Sequence, residues 1–164
     1  MKKAYLLFLF ILCLFSCTMP VDAAEPDFRK VSWGMSVEEV LLAEEAECIK
    51  EHSSLDRIVY RESAFGRTGI LFYDFEEEKL AKATYLFGEL TAEEAKGLFK
   101  DIKTVLSKKY TLEAPALEIP YYDNFSYGNT NIALLGVSYA VMVAYSPRES
   151  REKISARKEA EEKF

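Results

Sequence analysis

The sequence predicts an α+β domain of two tandem αβββ halves, with an antiparallel sheet, helices on one side of it, and a charged C-terminal helix. Three observations predict this architecture. The helix-start pattern Ser/Thr-x-x-Glu occurs at Ser36 and again at Thr91. Each copy is followed by a helical apolar pattern and then by three runs of alternating or aromatic-rich residues, which are typical of strands. The connections are short, so neighbouring strands are expected to be antiparallel.

The first half is predicted over residues 28–88. Ser36 and Glu39 can form a capping box, in which each side chain bonds the backbone amide of the other residue. The helix that they start is expected to end near Cys48. Trp33, just before it, is expected either to fill the core or to anchor a surface. Three strands are predicted to follow, at Arg57–Glu62, Ile70–Phe75 and Leu80–Phe87.

The second half is predicted over residues 89–146. Thr91 and Glu94 repeat the capping box. The apolar residues after them follow the 3, 4, 7 spacing of one buried helical face, so the helix is expected to run as far as Lys109. Three more strands are predicted, at Ile119–Tyr127, Ile132–Val137 and Tyr139–Tyr145. We expect the two halves to form one domain over residues 24–146.

A third helix start is predicted at Ser146, with Pro147 at the first helical position and Glu149 completing the box. The segment that follows, residues 147–164, is mostly Glu, Lys and Arg. Such composition is typical of a solvated terminal helix, and the alternative is a helix that docks onto a partner.

Residues 1–23 are predicted to be an export signal, because a positive start precedes an apolar run, Ala4–Phe15, that is too short to span a bilayer. Two processing outcomes remain open. In one, cleavage before Cys17 follows a lipobox-like Leu-Phe-Ser-Cys, and a lipid on Cys17 anchors the protein without spanning the membrane. In the other, ordinary signal peptidase cuts near Ala23 and Ala24 and leaves a soluble periplasmic protein.

Charge and composition argue against several classes of function. The formal net charge of −6 argues against binding of nucleic acid or of anionic lipid head groups. His52 is the only histidine, which excludes a two-histidine metal site, and no Gly-rich phosphate loop is present. We therefore expect no cofactor, no metal and no catalytic residue, with Cys48 as a buried structural thiol. A carboxylate-dependent hydrolase built on Asp74 and the neighbouring glutamates is an alternative.

Aromatic residues give the candidate binding site. Strand-exposed tyrosines are enriched at protein interfaces. The alternative is that they form cross-strand aromatic pairs that stabilise the sheet. The densest group, beside the Asn129 turn, is the predicted binding site and contains Tyr121, Tyr122, Phe125 and Tyr127.

Two stretches carry a resemblance to known proteins. F-R-x-V-x-W-G-M-S-x-E-E-V at Phe28–Val40 resembles the start of small exported bacterial proteins, many of them hypothetical proteins or lipoproteins. L-F-Y-D-F-E-E-E-K-L at Leu71–Leu80 resembles the hairpin that follows in them. More distantly, the chain is similar to outer-membrane-assembly lipoproteins of the small-protein-A type and to β-lactamase-inhibitor proteins.

The β-lactamase-inhibitor proteins contain tandem helix-plus-sheet modules whose sheet surface binds another protein. The resemblance therefore implies a protein-binding sheet. This chain offers one helix and three strands per half where the inhibitors have two helices and four strands, and it lacks their module disulfides. No binding residue is carried over for that reason.

These observations predict a non-enzymatic protein-binding or scaffold module of the bacterial cell envelope. Its expected partner is an unidentified envelope protein, bound through an exposed sheet face, and the membrane is a partner only through a lipid on Cys17. The alternative is a periplasmic protein that binds or senses a small ligand in an apolar pocket between helix and sheet.

Overall fold

The computed structural model describes residues 27–44, 48–49, 53–54, 56–113 and 120–148. Within these residues it contains two helices, α1 (Val37–Ala43) and α2 (Ala92–Lys109). Seven strands form a single antiparallel sheet. They are β1 (Arg57–Ala64), β2 (Arg67–Glu76), β3 (Lys79–Phe87), β4 (Thr111–Glu113), β5 (Tyr122–Tyr127), β6 (Thr130–Val137) and β7 (Ala140–Pro147).

The strand order across the sheet is β1-β2-β3-β7-β6-β5-β4. Strands that follow each other in the chain are neighbours in the sheet, with the exception of β3 and β4. At the centre of the sheet β3 pairs instead with β7. Tyr85 of β3 lies opposite Val143 of β7 at this junction. The predicted α+β class with an antiparallel sheet is confirmed.

The core lies between the helices and one face of the sheet. The buried face of α2 carries Ala95, Phe99, Ile102 and Leu106, and the helix packs on β5, β6 and β7. On the other half of the same face, the ring of Phe28 lies against tyrosines of β2, β3 and β7. One buried row of this face crosses five strands and contains Tyr73, Ala83, Tyr145, Ile132 and Phe125.

Both predicted capping boxes are present, at Ser36 with Glu39 and at Thr91 with Glu94. The predicted end of the first helix near Cys48 is wrong, because α1 ends at Ala43. Glu44 takes up an extended backbone, with φ −87° and ψ 122°, and its side chain is almost completely buried. A tertiary contact therefore ends the helix about a turn early.

Three predictions for the second half need correction. The short edge strand β4 was not predicted. The strand that was expected to begin at Ile119 begins at Tyr122 instead. Tyr121 has a positive φ of 59°, which lies outside the φ range of strand backbone. Ile119 itself lies outside the described residues.

The helix start predicted at Ser146 and Pro147 is also wrong, since both residues belong to β7 and lie opposite Asn131 and Thr130 of β6. Residues 149–164, for which the charged helix was predicted, lie outside the described part of the chain, as do residues 1–26 with Cys17 and also His52.

Candidate functional site

The structure separates the four residues of the predicted binding site. Phe125 is 1% exposed and belongs to the core. Tyr121 precedes β5, and its exposed ring lies edge-on to Phe99 of α2, with centroids 5.6 Å apart. Tyr127 is exposed near the end of α2, and Tyr122 lies on the opposite face of the sheet from Phe125 because side chains alternate along a strand. The four side chains do not form one surface.

The face of the sheet turned away from the helices carries an unbroken apolar row. In-register pairing aligns one residue from each of five neighbouring strands. Each side chain is partly exposed. We call this set the outer row, and it contains Ile70, Leu86, Met142, Leu135 and Tyr122.

A second row lies beside the outer row on the same face. It runs through Phe72, Thr84, Ala144 and Ala133, which are also in register across the sheet. All four side chains are small or apolar. Among the described residues, α2 contacts only the other face, through side chains such as Phe99, so two adjacent rows of this outer face have no helix over them.

Charged residues lie at the β1 side of the outer face. Arg57 forms an ion pair with Asp74, and its guanidinium lies 5.2 Å from the centroid of the Phe72 ring. Arg61 lies opposite Ile70 of the outer row. The outer row therefore ends at the charged Arg61, while the second row continues from Phe72 to the buried Val59 of β1.

The alternative hydrolase site does not gather around Asp74. Its carboxylate faces Arg57, while the exposed Glu77 and Glu78 form the turn between β2 and β3. Within the described ranges, no group of three or more His, Cys, Asp or Glu residues is placed to hold a metal ion.

A partly buried polar cluster surrounds the side chain of Glu44. Arg29 Nη2 is 3.1 Å from Glu44 Oε2 and 3.4 Å from Glu62 Oε2, and Arg29 Nη1 donates to the Tyr85 hydroxyl at 3.0 Å. The Tyr73 hydroxyl also donates to Glu44. Burial, and this hydrogen bond to Glu44, raise the pKa of Tyr73. The cluster ties the N-terminal segment to β1, β2 and β3.

Trp33 and Cys48, which the sequence offered as possible functional residues, both make contacts within the fold. Trp33 packs against the core, and its Nε1–H donates to Thr130 Oγ1 at 3.0 Å, which joins the N-terminal segment to β6. Cys48 is half-buried, packs against the core and forms an isolated bridge with Tyr60 of β1.

The helix side of the sheet carries two hollows. One is a wide groove of about 830 Å³ between the first half of α2 and the end of β6, lined by Phe99, Tyr121 and Gly136 among others. This is where the small-ligand alternative places an apolar pocket. The other is a cavity of about 540 Å³ between the N-terminal segment, the end of α2 and the turn between β5 and β6.

Neither the outer row nor the second cavity was predicted from the sequence. A signal for the outer row exists, because β2 reads Ile-Leu-Phe-Tyr-Asp-Phe and is apolar on both of its faces. Such a strand is typical of a sheet that is covered on both sides. The cavity has no comparable signal, because its lining comes from five separate segments.

No family model, no curated protein and no solved structure matches the chain. In the part of the chain that the structure describes, no helix is long and apolar enough to cross a membrane.

Proposed function

We propose that the chain is a non-enzymatic protein-binding or scaffold module of the bacterial cell envelope, which binds an envelope protein through the outer face of its sheet. The outer row carries this proposal. Five apolar side chains from five neighbouring strands lie side by side and stay partly exposed. Contiguous apolar surface with a polar rim marks interaction sites on soluble proteins.

The composition of the outer face suits a protein partner. Tyr122 and Met142 belong to residue types that are enriched at interfaces, as does Arg57, which lies over the Phe72 ring at the edge. An open sheet face can make a broad contact with a protein, but it lacks the enclosure that a small molecule requires. This arrangement supports a protein partner over a small ligand at this face.

Export and the tandem architecture belong to the same proposal. Residues 1–23 would direct the chain to the envelope, where it would be either lipid-anchored at Cys17 or released by cleavage near Ala23. The two-halves interpretation is supported by the two capping boxes and by the central pairing of β3 with β7, the last strand of each half. The charged C-terminal helix is proposed from the composition of its segment alone.

The test is crosslinking in intact cells followed by purification of the complex from the envelope. Met142→Arg places a charge in the middle of the outer row, and Val105→Arg makes the same change at an exposed apolar position of α2. We expect one stoichiometric envelope partner with the starting protein and with Val105→Arg, and loss of that partner with Met142→Arg at an unchanged melting temperature. Equal capture by both variants would sink the proposal.

Tyr122→Ala serves as a second variant in case Met142→Arg prevents folding. Tyr122 lies at the edge of the outer row and is only partly buried, so truncation should leave the core intact. Undiminished capture by folded Tyr122→Ala would then exclude the outer row as the contact.

A further inference from the structure

The cavity of about 540 Å³ is separate from the outer face, because its floor is formed by core-facing side chains of the sheet. It opens where the N-terminal segment and the end of α2 leave a gap between them. Its volume lies within the roughly 300–1,000 Å³ of small-molecule pockets. The lining residues that matter for its chemistry are Arg29, Tyr85, Lys109, Tyr110, Tyr127 and Tyr145.

Two tyrosine hydroxyls in the cavity are available as donors. The Tyr85 hydroxyl accepts a hydrogen bond from Arg29 Nη1 at 3.0 Å, which leaves its own proton free to donate. Tyr145 is only 6% exposed, and no described residue forms a hydrogen bond with its hydroxyl. Burial, and the nearby hydroxyls of Tyr110 and Tyr85, raise the pKa of Tyr145, so the group keeps its proton at neutral pH.

Lys109 supplies the available positive charge. Its ammonium nitrogen lies 5.2 Å from the centroid of the Tyr110 ring, and among the described residues it forms no ion pair. The charge of Arg29, in contrast, is shared between Glu44 and Glu62. Lys109 is therefore the cation that is free to meet a ligand.

The described lining contains one carboxylate, which keeps its charge and accepts one backbone hydrogen bond. Asp27 Oδ2 accepts a hydrogen bond from the backbone N–H of Trp33 at 3.0 Å. The lining side chains without a partner among the described residues include the donors of the Lys109 ammonium and of the Tyr85 and Tyr145 hydroxyls, and the Asn129 amide, which can donate as well as accept. Such a set requires an acceptor, and charged acceptors form the stronger hydrogen bonds.

We infer that this cavity binds a small organic oxyanion, a carboxylate or a phosphate ester, with Lys109, Tyr85 and Tyr145 donating to its oxygens. The rings of Tyr110 and Tyr127 meet edge to face, with centroids 5.8 Å apart, and offer apolar surface to the rest of the molecule. A ligand with one anionic end and an aromatic or aliphatic body fits both parts of the lining.

The test titrates the purified protein, processed as the cell processes it, with benzoate, and follows backbone amide shifts by NMR. Benzyl alcohol is the neutral analogue, and inorganic phosphate is the competitor. Lys109→Met removes the ammonium, and Lys108→Met is the matched control, because Lys108 is also exposed but does not line the cavity.

We expect benzoate to shift amides around Tyr127 and Lys109, with benzyl alcohol binding roughly tenfold more weakly. Lys109→Met should raise the Kd for benzoate roughly tenfold, Tyr145→Phe should raise it severalfold, and Lys108→Met should leave it unchanged. If phosphate displaces bound benzoate, the natural ligand is assigned to the phosphate esters. If benzoate stays bound in the presence of phosphate, the natural ligand is assigned to the carboxylates.

Three outcomes would overturn the inference: equal affinity for benzoate and benzyl alcohol, an unchanged Kd in Lys109→Met, or no shift with either benzoate or phosphate at millimolar concentration. The result is independent of the proposed protein-binding face. Met142→Arg, which alters the outer row, should bind benzoate with an unchanged Kd.

Discussion

Arg29 and Glu44 form an ion pair at 3.1 Å in which the carboxylate side chain is only 2% exposed. The pair connects the N-terminal segment to the residue at which α1 ends. Tyr73 of β2 donates a further hydrogen bond to the same carboxylate. A carboxylate this deeply buried depends on its partners, because an unpaired buried charge is costly.

Replacing Arg29 should destabilise the protein strongly. Arg29→Met leaves the Glu44 carboxylate without its cation, and we expect the free energy of unfolding to fall by about 3 kcal/mol, as is usual when one partner of a buried pair is lost. Urea denaturation measures it. Arg57→Met is the control, because Arg57 is half-exposed and its pair with Asp74 should contribute at most about 1 kcal/mol. Equal losses in the two variants would contradict a special role for Glu44.

Replacing Tyr60 should stabilise the protein. Its hydroxyl is buried and, among the described residues, has no hydrogen-bond partner. Tyr60→Phe removes this unsatisfied group, so we expect the free energy of unfolding to rise by about 1 kcal/mol. Tyr139→Phe is the matched control at a tyrosine that is 68% exposed and should leave stability unchanged. A loss of stability in Tyr60→Phe would indicate that the hydroxyl has a partner.

Stability should fall at alkaline pH. Burial raises the pKa of Tyr60 to about 12 and also raises the pKa of Tyr73, Tyr85 and Tyr145. Unfolded tyrosine has a pKa of about 10. Above that pH the unfolded chain loses protons that the folded chain keeps, so the contribution is complete below about pH 10 and declines as pH rises. Urea midpoints across this range should show the decline, and it should be smaller in Tyr60→Phe; a flat profile would contradict it.

Two glycines should respond to alanine in opposite directions. A Cβ on Gly69 would lie 2.6 Å from the Leu86 carbonyl oxygen and 2.7 Å from Cδ1 of Phe87, so Gly69→Ala must displace a neighbouring strand. We expect a loss of about 1–3 kcal/mol. Gly97 in α2 has open space around it, and Gly97→Ala should add about 0.5–1 kcal/mol through helix propensity. Thermal melts by circular dichroism would show both, and a stabilised Gly69→Ala would contradict the close approach.

The turn between β2 and β3 can be improved. Glu77 and Glu78 both have a positive φ, of 49° and 62°, which is the conformation of a type I′ hairpin turn. Asn-Gly is the preferred pair there, so the double change Glu77→Asn with Glu78→Gly should raise the free energy of unfolding by about 1 kcal/mol. Glu76→Gln, at the end of β2, is the control and should have little effect. An unchanged melting temperature in the double variant would contradict the turn assignment.

Local features of the fold were predictable. The capping boxes of α1 and α2 depend on side chains three residues apart, so Ser36 and Thr91 identify them in the sequence alone. The end of α1 was not predictable in this way. It depends on contacts of Glu44 with Arg29 and Tyr73, which lie 15 and 29 residues away in the sequence and meet it only in the tertiary structure.

The arrangement of the predicted binding residues also depends on features that the sequence alone does not reveal. The sequence predicts one binding site that contains Tyr121, Tyr122, Phe125 and Tyr127. The positive φ at Tyr121 places this residue before β5, and the alternation along β5 turns Tyr122 to one face of the sheet and Phe125 and Tyr127 to the other. A backbone angle and a strand register are properties that composition does not reveal.

The sequence by itself determined the α+β class, the two helix starts and the antiparallel pairing of successive strands, because each depends on interactions between residues close in the chain. Only the tertiary structure decided which side chains share a surface. The pairing of β3 with β7 brings Leu86 beside Met142, and a slip of one residue in that register would turn every side chain of the strand to the other face. The outer row and the lining of the cavity therefore depend on contacts between residues that lie far apart in the sequence.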